Sequence, residues 1–357
     1  MCYEGKKCYI NKDLEVNNMS KHMAEMLGNI DCCFYHTKRK IDEGIPTDWF
    51  ERLDSKVFFD PYMCCSDFSE YSPFYVVTNE CIKQYLEKFD VSGCENALSV
   101  LGSGDQVLNI INSGIKEVDT FDLNKLTEFY FFGLKVPWIL KYDYDTFLNI
   151  MDSIMRRKFS LDEELQLISD TIPYMDLIYR RYWKRVVDYA SKSTTLNSLF
   201  SILSYPDKVD LPYVNSYLAS KEDYDNFKHS LAMTNIHFEC YDAKNLGIRS
   251  REKYDLILLS NILDYFSKYF KHGWKYEQLV EYENQLINIL GDNGVALMHY
   301  IYYYMPEKPS EHPIFFQSDV YINEITGKNE EIVPFVARRI NGTEEQKCAI
   351  LALRKNL

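Results

Sequence analysis

The stretch that most constrains this chain runs from residue 97 to residue 122. Ala97-Leu98-Ser99-Val100-Leu101 is a short apolar run of the kind that makes a buried strand. Gly102-Ser103-Gly104-Asp105 is a turn, Gln106 to Ser113 has helical spacing, and Gly114 is placed to end that helix. Val118 to Phe121 is a second strand, closed by Asp122-Leu123-Asn124. Strand, glycine turn, helix and strand form a parallel βαβ unit, which commits the chain to an α/β fold. The unit is also a place for a ligand. Glycine lets backbone approach closely, and the helix that follows presents its N-terminal N–H groups and the positive end of its dipole. Asp122 follows Gly102 by about 20 residues, the spacing of a carboxylate that accepts from ribose hydroxyls.

The alternation resumes far downstream. Ile236 to Tyr241 is a strand ending at Asp242, and Tyr254 to Leu259 is an apolar run suited to burial on both faces. Residues 275–290 form an amphipathic helix stopping near Gly291 and Gly294, and Val295 to Tyr302 is a further strand. Ile332 to Ile340 and Cys348 to Leu353 are two more. Residues 75–90 read as a helix with Thr78 as N-cap, and about 125–140 as another. Residues 143–233 read as helical throughout. The expected architecture is a Rossmann-like, doubly wound, mostly parallel sheet built from 75–142 and 234–357. A helical insertion at 143–233 is assigned to acceptor binding. An N-terminal Cys-rich extension at 1–74, with a short helical piece at Met19–Leu27, is assigned as a lid.

Charge and composition exclude several classes. The net charge of −13 argues against nucleic acid as the partner, since phosphate binding needs clustered Lys and Arg. No apolar run reaches the roughly 18 residues of a membrane span; the most apolar stretch, Phe129 to Leu140, is broken by Gly133, Lys135 and Pro137. The first residues show no secretory h-region, so a cytoplasmic location with reduced thiols is expected. Eight of the ten cysteines fall within the first 94 residues, including the pairs Cys32-Cys33 and Cys64-Cys65. Adjacent thiols lack metal-ligand spacing, and Cys33 with His36 has no second pair, so no metal is expected.

The turn narrows the ligand. A dinucleotide fingerprint wants a third glycine where Val107 stands, and the chain has no phosphate-cradling G-x-x-x-x-G-K loop. An adenosine ligand without phosphates fits, which points to S-adenosylmethionine; a different adenosine ligand, NAD included, is the remaining alternative. Asp242-Ala243 follows the third strand, where a carboxylate holds an adenine amino group. Ser260-Asn261-Ile262-Leu263-Asp264-Tyr265 follows the fourth, where polar groups face the reactive end of the ligand.

Five segments together resemble a known pattern: Thr78-Asn79-Glu80, Leu98 to Asp105, Asp122-Leu123-Asn124, Tyr144 to Leu148, and Leu259 to Tyr265. They are similar to the S-adenosylmethionine:diacylglycerol 3-amino-3-carboxypropyltransferases of betaine-lipid synthesis, over roughly residues 70–300. The resemblance implies a class I methyltransferase-like domain with a seven-stranded sheet whose last strand is antiparallel. It also implies that Gly102, Gly104, Asp122, Asp242, Ser260 and Asn261 line the cofactor. Ser103, Asn124 and Ala243 complete the candidate cofactor set, with Asn79 and Glu80 either at its methionine end or capping a helix. The family follows its second strand with Asn-Pro, whereas here Asn124 precedes Lys125.

Attack on the sulfonium's methyl gives methyl transfer, and attack on the γ-carbon gives 3-amino-3-carboxypropyl transfer; in-line alignment selects between them. The resemblance implies the second, with a lipid or small molecule as acceptor. Asp264, Tyr265 and Asn261 are the candidates for base and polarising groups. The basic-aromatic block Tyr179 to Arg185, joined by Arg156-Arg157-Lys158, is either a solvated helix face or a peripheral contact with anionic lipid or an anionic substrate. Methyl transfer to a small molecule and non-catalytic binding of the nucleoside are the alternatives.

Overall fold

The computed structural model describes residues 76–192, 194, 198–200, 209–249, 253–263, 276–302, 330–338 and 345–355. The extension at 1–74 and its helix at Met19–Leu27 lie outside the described residues, as do Asp264 and Tyr265.

Seven strands make one sheet: β1 (Asn96–Val100), β2 (Glu117–Asp122), β3 (Asn235–Cys240), β4 (Tyr254–Leu258), β5 (Leu290–Ile301), β6 (Glu330–Arg338) and β7 (Glu345–Arg354). Their order is β3-β2-β1-β4-β5-β7-β6. The pairs among β1 to β5 are parallel, and β7 runs antiparallel to both β5 and β6. Successive side chains leave a strand on opposite faces, so each strand feeds two cores. Ala97 and Leu256 join one core, while Leu98 and Ile257 join the other.

The first face is heavily covered. It carries α1 (Ile82–Leu86), α2 (Asp105–Asn112), α3 (Lys125–Tyr130), a π-helical turn at Phe131–Lys135, and α4 (Val136–Lys141). The insertion follows as α5 (Tyr144–Met155), α6 (Leu161–Thr171), α7 (Leu177–Ala190), α8 (Leu211–Val214) and α9 (Lys221–Ala232). Its longer helices start on side chains that satisfy orphan N–H groups: Asp143, Asp176 and Ser220 each cap one, and Ser160 with Glu163 makes a capping box. The insertion is not a detached module. Phe147, Trp183, Tyr217, Tyr224 and Phe227 are buried in the same core as Ile82, Val107 and Trp138. The second face is thinner. There α10 (Leu246–Arg249) and α11 (Tyr276–Ile289) bring Leu246, Tyr282, Leu286 and Ile289 against Leu98, Ile257 and Met298.

Three elements differ from their sequence expectation, each for a tertiary reason. The helix expected over 75–90 is only Ile82–Leu86, and its N-cap is Cys81. Thr78 does turn the chain, its hydroxyl accepting from Glu80 N at 3.0 Å, but its own N–H donates to Asp105 Oδ2 at 2.7 Å, which holds the segment off the helix path. The helix expected over 125–140 runs unbroken from Lys125 to Lys141, but it widens to a π-helical turn at Phe131–Lys135. Trp183 Nε1 reaches in to donate to Phe129 O at 2.9 Å. A Cβ on Gly133 would stand 2.5 Å from that nitrogen, so only glycine admits the indole. Finally, β5 begins at Leu290 rather than Val295. The preceding helix does stop at Ile289, beside the glycines, and Gly294 then packs within the strand on the Tyr254 carbonyl, which a Cβ would meet at 2.6 Å.

Candidate functional site

The site is assembled at the carboxyl ends of β1 to β4, where open α/β sheets place their ligands. After β1 the chain turns through Gly102 (φ +49°) and Gly104 (φ +82°), both in the left-handed region. Gly104 N donates to Leu101 O at 2.6 Å to close the turn. The two glycines do different things. A Cβ on Gly104 would meet Phe131 Cδ2 at 2.1 Å, whereas a Cβ on Gly102 would meet nothing within 4 Å. Gly104 serves packing, and Gly102 borders open space.

Asp122 ends β2 directly beside this turn. Its Oδ2 accepts from Gly102 N at 2.9 Å and its Oδ1 from Asn124 N at 2.8 Å. Burial pushes its pKa up to about 6, against the lowering effect of the Asn124, Gly102 and Leu123 amides and the Thr127 hydroxyl. Asn124 is the N-cap of α3, its side-chain oxygen accepting from Leu126 N at 3.0 Å. It is buried, and it sets the direction in which α3 leaves the sheet.

Beneath the turn lies a buried ion pair. Lys135, in the π-helical turn, places Nζ 2.7 Å from Asp105 Oδ1, and both side chains are 1% exposed. The ammonium also donates to Ser103 O at 2.9 Å and Val76 O at 3.1 Å, so its three protons are used. Asp105 accepts Tyr217 Oη at 2.7 Å on the same oxygen, and Ser103 Oγ and Thr78 N on the other. All four lone-pair positions of the carboxylate have donors. Burial lowers the Lys135 pKa, and Asp105 opposes that shift.

The remaining strand ends add polar groups. Tyr241 N donates to Asp122 O at 3.1 Å, and the Tyr241 ring stacks on Phe121 at 4.9 Å. This carries Asp242 and Ala243 to the same edge, where Asp242 Oδ1 accepts from Lys244 N at 3.0 Å. After β4, Ser260 takes φ +58°, rare for a residue with a Cβ. Its Oγ donates to Glu80 Oε1, and Asn261 Oδ1 lies 3.3 Å from that hydroxyl. Glu80 is 2% exposed, and its Oε2 accepts from Gln106 Nε2 at 3.1 Å. Asn79 Oδ1 accepts from Tyr302 Oη, at the end of β5, at 3.0 Å.

Hydrogen bonds thus join most of the sequence candidates, directly or through a neighbour: Asn79, Glu80, Gly102, Ser103, Gly104, Asp122, Asn124, Asp242, Ser260 and Asn261. Of the three catalytic candidates, only Asn261 falls among the described residues. The basic-aromatic block is α7, and its aromatic side is structural: Tyr179, Tyr182 and Trp183 are buried, while Arg181, Lys184 and Arg185 are exposed. Arg156 and Lys158 both pair with Asp152. Among the described residues, no group of three or more His, Cys, Asp or Glu side chains is placed to hold a metal ion. The sequence reading missed Lys135, Tyr217, Gln106 and Tyr302. Lys135 alone had a signal, a lysine inside the apolar run Phe129 to Leu140.

The architecture around this site is decided by the strand order β3-β2-β1-β4-β5-β7-β6, in which the last strand, β7, alone opposes the rest. The fold is that of the class I S-adenosylmethionine-dependent methyltransferases. No protein-family model and no curated protein sequence matches the chain. Among solved structures it is similar to the N-methyltransferase NodS from Bradyrhizobium japonicum WM9, at 9% identity over 76% of this chain and 93% of that one, with a TM-score of 0.34. It is also similar to an rRNA methylase from Streptococcus thermophilus, at 10% identity over 73% and 87% of the two chains, TM-score 0.28. A third is coclaurine N-methyltransferase bound to N-methylheliamine and S-adenosylhomocysteine, at 10% identity over 92% and 70%, TM-score 0.30.

Proposed function

We propose that this chain binds S-adenosylmethionine at the carboxyl edge of its sheet and transfers a group from the sulfonium to a small-molecule or lipid acceptor. The observation that carries the reading is the contact between Gly102 N and Asp122 Oδ2 at 2.9 Å. A phosphate-binding turn keeps its amides for the ligand's phosphates. Here the amide of Gly102 is turned onto a carboxylate, and a pyrophosphate at this position would meet that negative charge. Val107, 0% exposed, fills the place where a dinucleotide site needs its third glycine. A nucleoside suits the edge better. Asp122 accepts from ribose hydroxyls, and Asp242 with Ala243 holds the adenine. Glu80, Ser260 and Asn79 face the methionine end, where the ligand carries its sulfonium and ammonium charges.

For the group transferred, the motif resemblance supports 3-amino-3-carboxypropyl. An acceptor oxygen or nitrogen forms a bond to the γ-carbon, the carbon–sulfur bond breaks with its electron pair on sulfur, and the acceptor's proton passes to a base. Methylthioadenosine leaves. Asn261, Asp264 and Tyr265 are the residues assigned to polarise the acceptor and take that proton. Arg181, Lys184 and Arg185 on the exposed side of α7 support a cytoplasmic enzyme that works against an anionic lipid surface. Among the described residues no helix is long and apolar enough to cross a membrane. The fold favours one second reading, methyl transfer, which leaves S-adenosylhomocysteine. Incubation with S-adenosylmethionine and a cell extract, followed by mass spectrometry of the nucleoside product, separates the two. Methylthioadenosine is expected. S-adenosylhomocysteine replaces the first reading with the second, and neither product from any acceptor pool overturns both.

A further inference from the structure

We propose that Tyr217 of the insertion is a positioning residue for the glycine turn, acting through Asp105 and Lys135. The insertion would then set the shape of the nucleoside site as well as flank it. The proposal rests on the reading above for the ligand's identity, but not for the coupling itself.

Two left-handed glycines, one on each side of Ser103, make a turn that a free chain would not hold, because glycine populates many other conformations. What holds it comes from outside the turn. Asp105 is the residue after Gly104, and Ser103 lies between the two glycines. Lys135 Nζ fixes the Ser103 carbonyl at 2.9 Å while it neutralises Asp105 at 2.7 Å. Tyr217 Oη supplies one of the four donors on Asp105, also at 2.7 Å.

Tyr217 is itself locked in place. It sits in a 3-10 turn, Ser216–Leu218, whose neighbours clasp α2. Asn109 Nδ2 donates to Asn215 Oδ1 at 2.7 Å, Ser216 N donates to Asn109 Oδ1 at 2.7 Å, and Asn112 Nδ2 donates to Ser216 Oγ at 3.0 Å. The ring packs on Phe227 at 4.9 Å. The insertion therefore grips the helix that leads out of the glycine turn and places one hydroxyl on its first residue. That hydroxyl has no water to replace it, since Tyr217 is 1% exposed and Asp105 likewise.

Tyr217→Phe removes the hydroxyl and keeps the ring. Tyr224→Phe is the control. Its hydroxyl is also buried and donates to Ile139 O at 3.0 Å, but it has no bond to Asp105. Hydrogen–deuterium exchange of the ligand-free full chain should show amides of 102–105 exchanging about tenfold faster in Tyr217→Phe, with α9 and β3 unchanged. Calorimetry with S-adenosylhomocysteine should show affinity weakened by about tenfold in the same variant and unchanged in Tyr224→Phe. Wild-type exchange at the turn in Tyr217→Phe overturns the proposal, and so does equal acceleration in Tyr224→Phe. If the wild-type chain binds no S-adenosylhomocysteine, the nucleoside reading fails, and the exchange measurement still decides the coupling.

Discussion

Two aspartates flank the glycine turn, and the fold treats them in opposite ways. Asp105, below the turn, is neutralised by Lys135 and has every lone-pair position filled. Asp122, at the rim, is also desolvated, yet the donors described on it are amides and a hydroxyl, and its pKa rises to about 6. A carboxylate given a buried cation is part of the scaffold. A carboxylate held by amides at the edge of a sheet retains negative charge for a ligand to use. The same residue type thus holds the turn on one side and, in the proposed reading, receives the nucleoside on the other.

The largest way to break this comparison is at the buried pair. Removing one partner of such a pair leaves an uncompensated charge and costs about 3–5 kcal/mol. Lys135→Met should lose that much in urea unfolding, and Asp105→Asn a comparable amount. The double variant should recover a large part, because two neutral groups need no partner charge. A double variant whose loss equals the sum of the singles would show that the pair does not act as one unit.

Asp122→Asn should do the reverse, costing affinity more than stability. One hydrogen bond from a ribose hydroxyl to a charged acceptor corresponds to about 1.5–3 kcal/mol, or about 10–150-fold in Kd for S-adenosylhomocysteine. The pH dependence carries the sign. The folded pKa lies above the ordinary value of 3.8, so the folded state binds the extra proton between there and about 6. This residue's contribution to stability is therefore full below about pH 4 and lost as pH rises through about 6, in the absence of ligand. Affinity for the nucleoside should move the other way, rising through about pH 6 as the carboxylate ionises. The difference in unfolding free energy between wild type and Asp122→Asn, measured from pH 4 to 7, isolates this residue from the other buried carboxyls. A flat difference would place the Asp122 pKa near its ordinary value.

The rim of this site was legible in the sequence, and the scaffold beneath it was not. Gly102, Gly104 and Asp122 lie in one βαβ unit, where turn residues and strand ends are set by local spacing. Asp105 was visible too, but its role was not, since Lys135 lies 30 residues away and Tyr217 lies 112 away. No period in a sequence reports such pairs. The same long-range contacts explain the misread helix at 75–90: the Thr78 amide is held by Asp105, and that bond overrides the local pattern. Gly291 and Gly294 marked the helix end at Ile289, but they hid the start of β5, which runs through both. Glycine marks both strand ends and close backbone approach, and only the position of Tyr254 distinguishes them.

The two glycines offer the finest test of the same contrast. Each takes positive φ, so alanine at either should cost about 1–2 kcal/mol in backbone strain. Beyond that they diverge. Alanine at Gly104 must displace the Phe131 ring, which packs in the core below the turn, so Gly104→Ala should lose stability well beyond the backbone cost. Alanine at Gly102 meets nothing in the ligand-free chain, so its stability loss should stop at the backbone cost. Its methyl group, however, would project into the space assigned to the nucleoside. Gly102→Ala should therefore weaken S-adenosylhomocysteine binding by more than its small effect on unfolding suggests. Thermal unfolding and calorimetry on the two variants give four numbers, and the expected pattern is crossed. Gly102→Ala with unchanged affinity would mean that the ligand does not approach the turn at that residue, and the nucleoside would have to be moved along the edge toward β4.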